Sequence, residues 1–223
     1  MIKLVAFDWN GTLLADVSAV IKTYDIILPA FGLKPVSLKR FQEIFEIPII
    51  NYWIKMGFKE KDFYKNGDKI QLLFQHHYEF FAKKSRTRAG TRATLIWLKK
   101  QNIECIIYSN HIVPEIKKHL PRLKIENYIT HILAREPGDH SHLHSRGKAE
   151  KLRKFVQLKK IKPSEVVSVG DTGEEIEIGK EFGYHTVAIS GGFNSIKRLK
   201  KHHPDFLIHN MRELIGVIKK LNS

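Results

Sequence analysis

Asp8 follows the apolar run Leu4-Val5-Ala6-Phe7 and opens the stretch Asp8-Trp9-Asn10-Gly11-Thr12. A buried strand that stops at a carboxylate and enters a glycine turn puts that carboxylate at the carboxyl end of a sheet, where open α/β sheets bind ligands. There it can attack phosphorus, hold a cation, or simply cap the turn. The same pattern recurs where Val166-Val167-Ser168-Val169 runs into Gly170-Asp171-Thr172-Gly173-Glu174-Glu175. Asp171 and Glu175 stand four residues apart at the opening of a helical pattern, and hard cations such as Mg²⁺ take a few carboxylates while retaining water. Between the two acids, Ile106-Ile107-Tyr108 leads to Ser109-Asn110, a hydroxyl and an amide suited to phosphate oxygens. Gly147-Lys148 opens a further helix with an ammonium that can neutralise phosphate charge.

Such residues need a sheet to bring them together. Strands are predicted at Leu4–Phe7, Glu104–Ser109, Tyr128–Leu133, Val166–Val169, Thr186–Ile189 and Phe206–Ile208, with helical patterns between most of them. Alternating strands and helices predict an α/β fold, a doubly wound parallel sheet with helices on both faces. The interval from Ala15 to about Lys84 differs. It is helical by period throughout, with Val20, Ile21, Tyr24, Ile27 and Leu28 at helix spacing, a break at Pro29 and Gly32, a Ser37-capped helix through Phe45, and an aromatic-rich helix over Gln71 to Phe81. Trp53, Phe63, Tyr64, Tyr78, Phe80 and Phe81 are expected to form mostly the core of this insertion, with one or two facing a cleft.

The ensemble of Asp8-Trp9-Asn10-Gly11-Thr12, Ser109-Asn110, Lys148 and Gly170-Asp171 with Glu175 resembles the haloacid dehalogenase superfamily. Arg88-Ala89-Gly90-Thr91 and the closing Pro204-Asp205-Phe206-Leu207-Ile208 extend the likeness over nearly the whole chain. The resemblance implies a Rossmann-like core of residues 1–14 and 85–223, interrupted by a helical cap at 15–84 like that of phosphoglycolate phosphatase. It implies Asp8 as a nucleophile that forms an aspartyl-phosphate. It implies Mg²⁺ bound by Asp8, the backbone carbonyl of Asn10 and Asp171, with Glu175 on a metal-bound water. Ser109, Asn110 and Lys148 would cradle the phosphate of a small phosphorylated substrate. The chemistry is covalent catalysis with charge stabilisation.

One departure bears on rate. Family phosphatases usually carry a second Asp, two residues after the nucleophile, that protonates the leaving group; this chain has Asn10 there. General acid–base catalysis contributes about 10²–10⁴-fold, so a slow phosphatase or a good leaving group is expected, and Asn10→Asp is expected to raise turnover. A phosphonate hydrolase, a phosphotransferase and a weakly active phosphate-binding or regulatory module remain alternatives. A phosphonate hydrolase would need a lysine from the insertion, such as Lys55 or Lys59. His111, beside Ser109-Asn110, could stand in for the missing acid, or touch only solvent.

Composition sets outer bounds. The 223 residues are 43% hydrophobic, enough for a sizeable core. No apolar run reaches the roughly 20 residues that span a bilayer, and the chain starts directly on its first strand, so a cytoplasmic protein without membrane contact is expected. Cys105, the single cysteine, sits in an apolar run and reads as core. The net charge of +15 favours anionic substrates and leaves nucleic-acid contact allowed, although the lysine runs fit solvated helix faces. His140, His142 and His144 alternate just before Lys148; they are expected to lie solvated on a loop at the cleft mouth, a metal site being the less favoured reading.

Overall fold

The computed structural model describes all 223 residues. Short, mostly apolar runs form strands β1 (Leu4–Phe7), β4 (Glu104–Ile112), β5 (His131–Arg135), β6 (Val166–Gly170), β7 (His185–Ile189) and β8 (Phe206–Ile208), while β2 (Leu14–Ala15) and β3 (Arg86–Thr87) pair apart from them. The six-stranded sheet is wholly parallel in the order β5-β4-β1-β6-β7-β8. The chain therefore starts in the middle, winds outward to one edge through β4 and β5, then returns beside β1 and winds outward the other way. The crevice for ligands lies at that reversal, at the carboxyl ends of β1, β4 and β6. β5 starts three residues later than the Tyr128–Leu133 run and ends at Arg135, because a single 3₁₀ turn takes up Glu126–Tyr128.

Two apolar layers cover the sheet. Val5, Phe7, Cys105, Ile107, Val167 and Val169 point to one face and pack with helices α5 (Thr91–Lys100), α6 (Val113–Leu123) and α10 (Glu213–Asn222). Leu4, Ala6, Ile106, Tyr108 and Val166 point to the other and meet α7 (Gly147–Leu158) and α8 (Gly173–Phe182). The period of two along each strand produces this division. A short helix α9 (Ile196–Lys201) closes the β7–β8 connection. Cys105 is buried, as its apolar surroundings predict.

Between β2 and β3 run α1 (Val17–Ala30), α2 (Leu38–Ile44), α3 (Ile49–Lys55) and α4 (Glu60–Ala82). Ser37 caps α2 by accepting from the Arg40 amide at 3.2 Å. Pro29 sits inside the last turn of α1 rather than ending it, and α4 is a single 23-residue helix that begins well before Gln71. These helices share their own cluster, centred on Tyr24, Phe41, Tyr52, Trp53 and Phe63, with Leu143 and Phe193 contributed from elsewhere. Of the six aromatics singled out, Trp53, Phe63 and Tyr78 are buried, whereas Tyr64 and Phe80 face solvent. No helix is long and apolar enough to cross a membrane.

Candidate active site

Sheet register places the chemistry. Phe7 pairs with Ile107 on one side and Val169 on the other, so Asp8, Ser109 and Asp171 all emerge within two residues of the same level. The Asp8 amide donates to the Val169 carbonyl at 2.9 Å, carrying the sheet one residue past β1. β4 is irregular between Tyr108 and Ile112, which turns Ser109, Asn110 and His111 out of plain strand geometry. Ser109 is buried, and its Oγ accepts from the His111 amide at 3.1 Å.

α7 delivers Lys148 from below. Its ammonium donates to Asp8 Oδ1 at 2.9 Å, lies 3.1 Å from Glu174 Oε2 and contacts Glu175 Oε1. Burial pulls the ammonium down, but Asp8, Glu174 and Glu175 outweigh it and hold the lysine charged, well above its usual range. α8 begins with a capping box: Thr172 donates through its amide (3.0 Å) and hydroxyl (2.6 Å) to Glu175 Oε2, and its Oγ1 accepts from the Glu174 amide at 3.2 Å. Both oxygens of Glu175 are thus engaged. Gly170 has no room for a side chain, because a Cβ there would overlap Glu175 Cγ.

Asp171 is fully buried. Its Oδ1 accepts from the Thr12 hydroxyl at 2.6 Å and its Oδ2 from the Phe193 amide at 2.5 Å. Gly11 and Gly192 close over it; a Cβ at either would collide with Oδ2. Burial, followed by Glu175, pushes Asp171 up to about 7, and burial likewise raises Asp8 against the pull of Lys148. Four buried carboxylates (Asp8, Asp171, Glu174 and Glu175) therefore face one ammonium. They do not converge as a ready-made ligand cage, because Lys148 takes the place between three of them. The set does fit a hard cation: every donor is oxygen, Asp8 Oδ2 accepts no protein hydrogen bond, Glu174 Oε1 is buried without a partner, and the negative charge is in excess.

Asn10 is fixed by a network that the sequence does not announce. Its Nδ2 donates to Asp16 Oδ2 and to Tyr78 Oη, each at 2.7 Å. Tyr78 Oη donates to Asp16 Oδ2 at 2.7 Å, and the Gly11 amide donates to Asp16 Oδ1 at 2.7 Å. Burial raises Asp16 in spite of these donors. With both amide hydrogens engaged, Asn10 has only its carbonyl oxygen left for other partners.

A cavity of about 110 Å³ joins these groups. Asp8, Asn10, Ser109, Asn110, Lys148, Glu174 and Glu175 line its floor, and Tyr24, Phe45, Ile47, Trp53, Ile70, Phe74 and Tyr78 of the insertion roof it. Trp53 and Tyr78 are thus aromatics that do reach the cleft. Sequence reasoning missed Glu174, Asp16, Arg135 and the pairing of Tyr78 with Asn10. Glu174 had a signal, an acid in the first turn of α8 beside Glu175; Tyr78 lies 68 residues from Asn10 and had none.

Three expectations are corrected. Lys55 is exposed and pairs with Glu46, Lys59 is exposed, and Lys148 is the one lysine on the cavity wall. The alternate histidines do not converge, because a 3₁₀ turn at Ser141–Leu143 breaks the extended geometry that would align them; His142 is buried and His140 half-buried, while His144 is exposed as expected. Each meets α4: His140 Nδ1 lies 2.6 Å from Asp68, His142 Nε2 lies 3.0 Å from Gln71, and His144 stacks on Tyr64 at 5.1 Å. His111 lines the cavity, with its Nε2 turned to Glu79 Oε1 at 3.1 Å, although the two atoms lack hydrogen-bond geometry. Burial raises Glu79, but His111 and His119 outweigh it and hold that carboxylate at about 2.

The family model for haloacid dehalogenase-like hydrolases matches residues 5–189. The chain belongs to that family. It is 24% identical over 224 residues to the pyrophosphatase PpaX of Bacillus mycoides, covering all of this chain and 99% of that one. It is 24% identical over 221 residues to a phosphoglycolate phosphatase of Pseudomonas fluorescens, covering 96% and 78%. Among solved structures, a haloacid dehalogenase-like family hydrolase from Streptococcus pneumoniae superposes with TM-score 0.74 at 17% identity, covering 97% of this chain and 98% of that one. A Clostridium acetobutylicum protein described as a predicted phosphatase gives 0.78 at 17%, covering 99% of each. At these identities the structures attest the fold.

Proposed function

We propose that the protein is a Mg²⁺-dependent phosphatase that hydrolyses a small phosphorylated metabolite through an aspartyl-phosphate on Asp8. The observation that carries this reading is the buried pair of Asp8 and Lys148, 2.9 Å apart at the floor of a small cavity that Ser109 and Asn110 also line. Lys148 fixes Oδ1 of Asp8 and leaves Oδ2 free to attack phosphorus. As that P–O bond forms, the bond to the leaving oxygen breaks, and the charge on the phosphoryl oxygens is met by Lys148, the Ser109 hydroxyl and the Asn110 side chain. Water then attacks the phosphorus of the acyl phosphate, the P–O bond to Asp8 breaks to return its carboxylate, and both water protons leave on the dihydrogen phosphate; Asn10 Oδ1 accepts a hydrogen bond from the water without taking its proton. The leaving group departs without a proton from residue 10, which slows alkyl phosphates more than anhydrides.

Asp8, Asp171 and the backbone carbonyl of Asn10 are the groups proposed to hold Mg²⁺, with Glu175 behind them. When bound, the ion supplies positive charge that draws Asp8 down into its ionised form and offsets repulsion between nucleophile and substrate. Residues 15–84 are proposed as a cap over a core of 1–14 and 85–223. The β2–β3 pair marks where the chain leaves and re-enters, and the apolar roof excludes water during transfer. The absence of an insertion lysine from the cavity wall favours phosphate esters or anhydrides over phosphonates.

The test is hydrolysis of an aryl phosphate with Mg²⁺ by the wild type and by Asp8→Asn. Turnover by the wild type and loss of at least about 10³-fold in the variant are expected. Equal rates would remove Asp8 from the mechanism.

A further inference from the structure

Two guanidinium or ammonium groups line the cavity, and they are placed very differently. Lys148 is surrounded by three carboxylates. Arg135, the last residue of β5, is only 5% exposed and has no carboxylate within ion-pair distance. Its Nε donates to the Asn110 carbonyl and its Nη1 to the Asp139 carbonyl; Nη2 has no protein partner. The nearby carboxylate of Asp139 is turned to the Ser141 amide, at 2.9 Å, and lies 3.7 Å from Lys151. A buried guanidinium whose hydrogen bonds all go to neutral carbonyls, with its nearest carboxylate beyond ion-pair distance, is costly unless a further anion comes to it. His142 is on the same wall, is 7% exposed, and carries a buried Nδ1 with no partner.

Arg135 is also next to the reaction floor. The residue whose carbonyl it holds, Asn110, donates from its side chain to Glu174 Oε2 at 2.8 Å, and that oxygen lies 3.1 Å from Lys148. One residue thus separates the guanidinium from the lysine that faces the transferring phosphate. We propose that Arg135 is the receptor for a second anionic group of the substrate, so that the preferred substrates are short phosphates bearing a carboxylate or a second phosphate. The planar fork of Arg suits both groups. The proposal rests on the phosphatase reading above. It adds a residue outside the four motifs, and it limits the substrate to a spacer short enough for a small cavity.

The test compares two substrate pairs that share the transferred phosphoryl group and differ in whether the leaving group carries a second anion; dividing the wild-type ratio by the variant ratio cancels the intrinsic difference between the leaving groups. Phosphoglycolate against ethyl phosphate reads a carboxylate; pyrophosphate against acetyl phosphate reads a second phosphate. The wild type is expected to favour the doubly anionic member of at least one pair in kcat/KM, mainly through KM. Arg135→Gln is expected to lower that ratio by about 10–100-fold, the worth of a charge-assisted hydrogen bond. Arg135→Lys, which keeps the charge without the fork, is expected to fall between, and it serves if the Gln variant does not fold. A guanidinium that merely tethers the loop at Asp139 would change both members in proportion. Unaltered ratios in the variants, or no preference in the wild type, overturn the proposal. If the wild type turns over none of the four substrates, the phosphatase reading fails separately. Calorimetric titration of wild type and Arg135→Gln with pyrophosphate then decides the role of Arg135, and equal affinity rejects it.

Discussion

Replacing Asn10 by Asp to restore the family's acid also places a carboxylate against Asp16. In the structure the Asn10 amide nitrogen is 2.7 Å from Asp16 Oδ2, and Asp16 is fully buried. Two full negative charges at that separation repel by about 6 kcal/mol at an effective dielectric constant near 20. In the variant, the introduced carboxyl and Asp16 therefore keep one proton between them through neutral pH, as paired carboxylates do. The sign of the stability change follows. The folded variant retains a proton that the unfolded chain releases near pH 4, so its stability relative to the parent falls as pH rises above about 4. At pH 5 the shared proton replaces the lost amide donor, and a deficit of about 1 kcal/mol is expected. At pH 8 the deficit should reach about 5 kcal/mol, because each of the three further pH units adds about 1.4 kcal/mol while only the folded variant keeps the proton. Urea denaturation in chelator at the two pH values measures both. Turnover should not rise as expected from the sequence, because the proton on the introduced carboxyl is bound to Asp16 and not offered to a leaving group. Adding Asp16→Asn moves the single charge to residue 10 and preserves donors to it. The double variant should recover stability at pH 8 to within about 1 kcal/mol and gain about 10²-fold on alkyl phosphates. If Asn10→Asp alone is as stable as the parent at pH 8, or gains as much rate as the double variant, Asp16 does not govern residue 10.

Metal-free protein should lose stability as pH rises from about 4 toward 8, since Asp171 ionises near 3.8 when unfolded and near 7 when folded. The loss from this group alone is at most about 4 kcal/mol. Mg²⁺ should restore more at pH 8 than at pH 5, and Asp171→Asn should flatten the profile; denaturation curves with chelator that are level across this range would contradict the buried-carboxylate picture. Leu143, 2% exposed within the insertion's cluster, joins the loop before α7 to α4, its Cδ1 lying over Gly67 where a Cβ would stand 3.6 Å away. Leu143→Ala should cost about 2–4 kcal/mol and speed proteolytic cleavage within residues 136–146, and a variant as resistant as the parent would show that the contact does not hold the loop.

Much of the sheet was legible, because each core strand is a short apolar run bounded by turn residues or charge. β1 and β8 have the bounds that their sequences predict, and β4 overran its expected end only where the irregularity at Ser109–His111 carries the chain on to Ile112. The parallel order follows from the alternation with helices. β2 and β3 were invisible, since two-residue strands have no period to read. α4 was found only in its second half: Lys59 to Asp68 is dense in charge, and its apolar positions Phe63 and Ile70 are too sparse for a pattern without Leu143 and Trp53 packing against them.

The site divides along similar lines. Asp8, Ser109, Lys148 and Asp171 were legible because each follows a strand or opens a helix, so local sequence determines where the side chain goes. Arg135 and Tyr78 were not, and the reason is geometric. Arg135 takes its meaning from what is missing around it, the carboxylate that a buried guanidinium ordinarily has, and no stretch of sequence records an absent neighbour. Tyr78 acquires its role from the rotation of α4, which brings Phe74, Tyr78 and Gln71 to the cavity while turning Leu72 and Phe80 outward. The histidine segment shows the same dependence. Tyr64, Gly67, Asp68 and Gln71 recur at three- and four-residue spacing on one face of α4, and that face meets His144, Leu143, His140 and His142 in turn. A polar stripe that reads as solvated in α4 and a histidine run that reads as loose are each other's partners. The loop that carries His142 beside Arg135 is therefore held by the same helix that carries Tyr78 to Asn10. Displacement of α4 would disturb the surroundings of both Arg135 and Asn10, which ties the two halves of the cavity to one element.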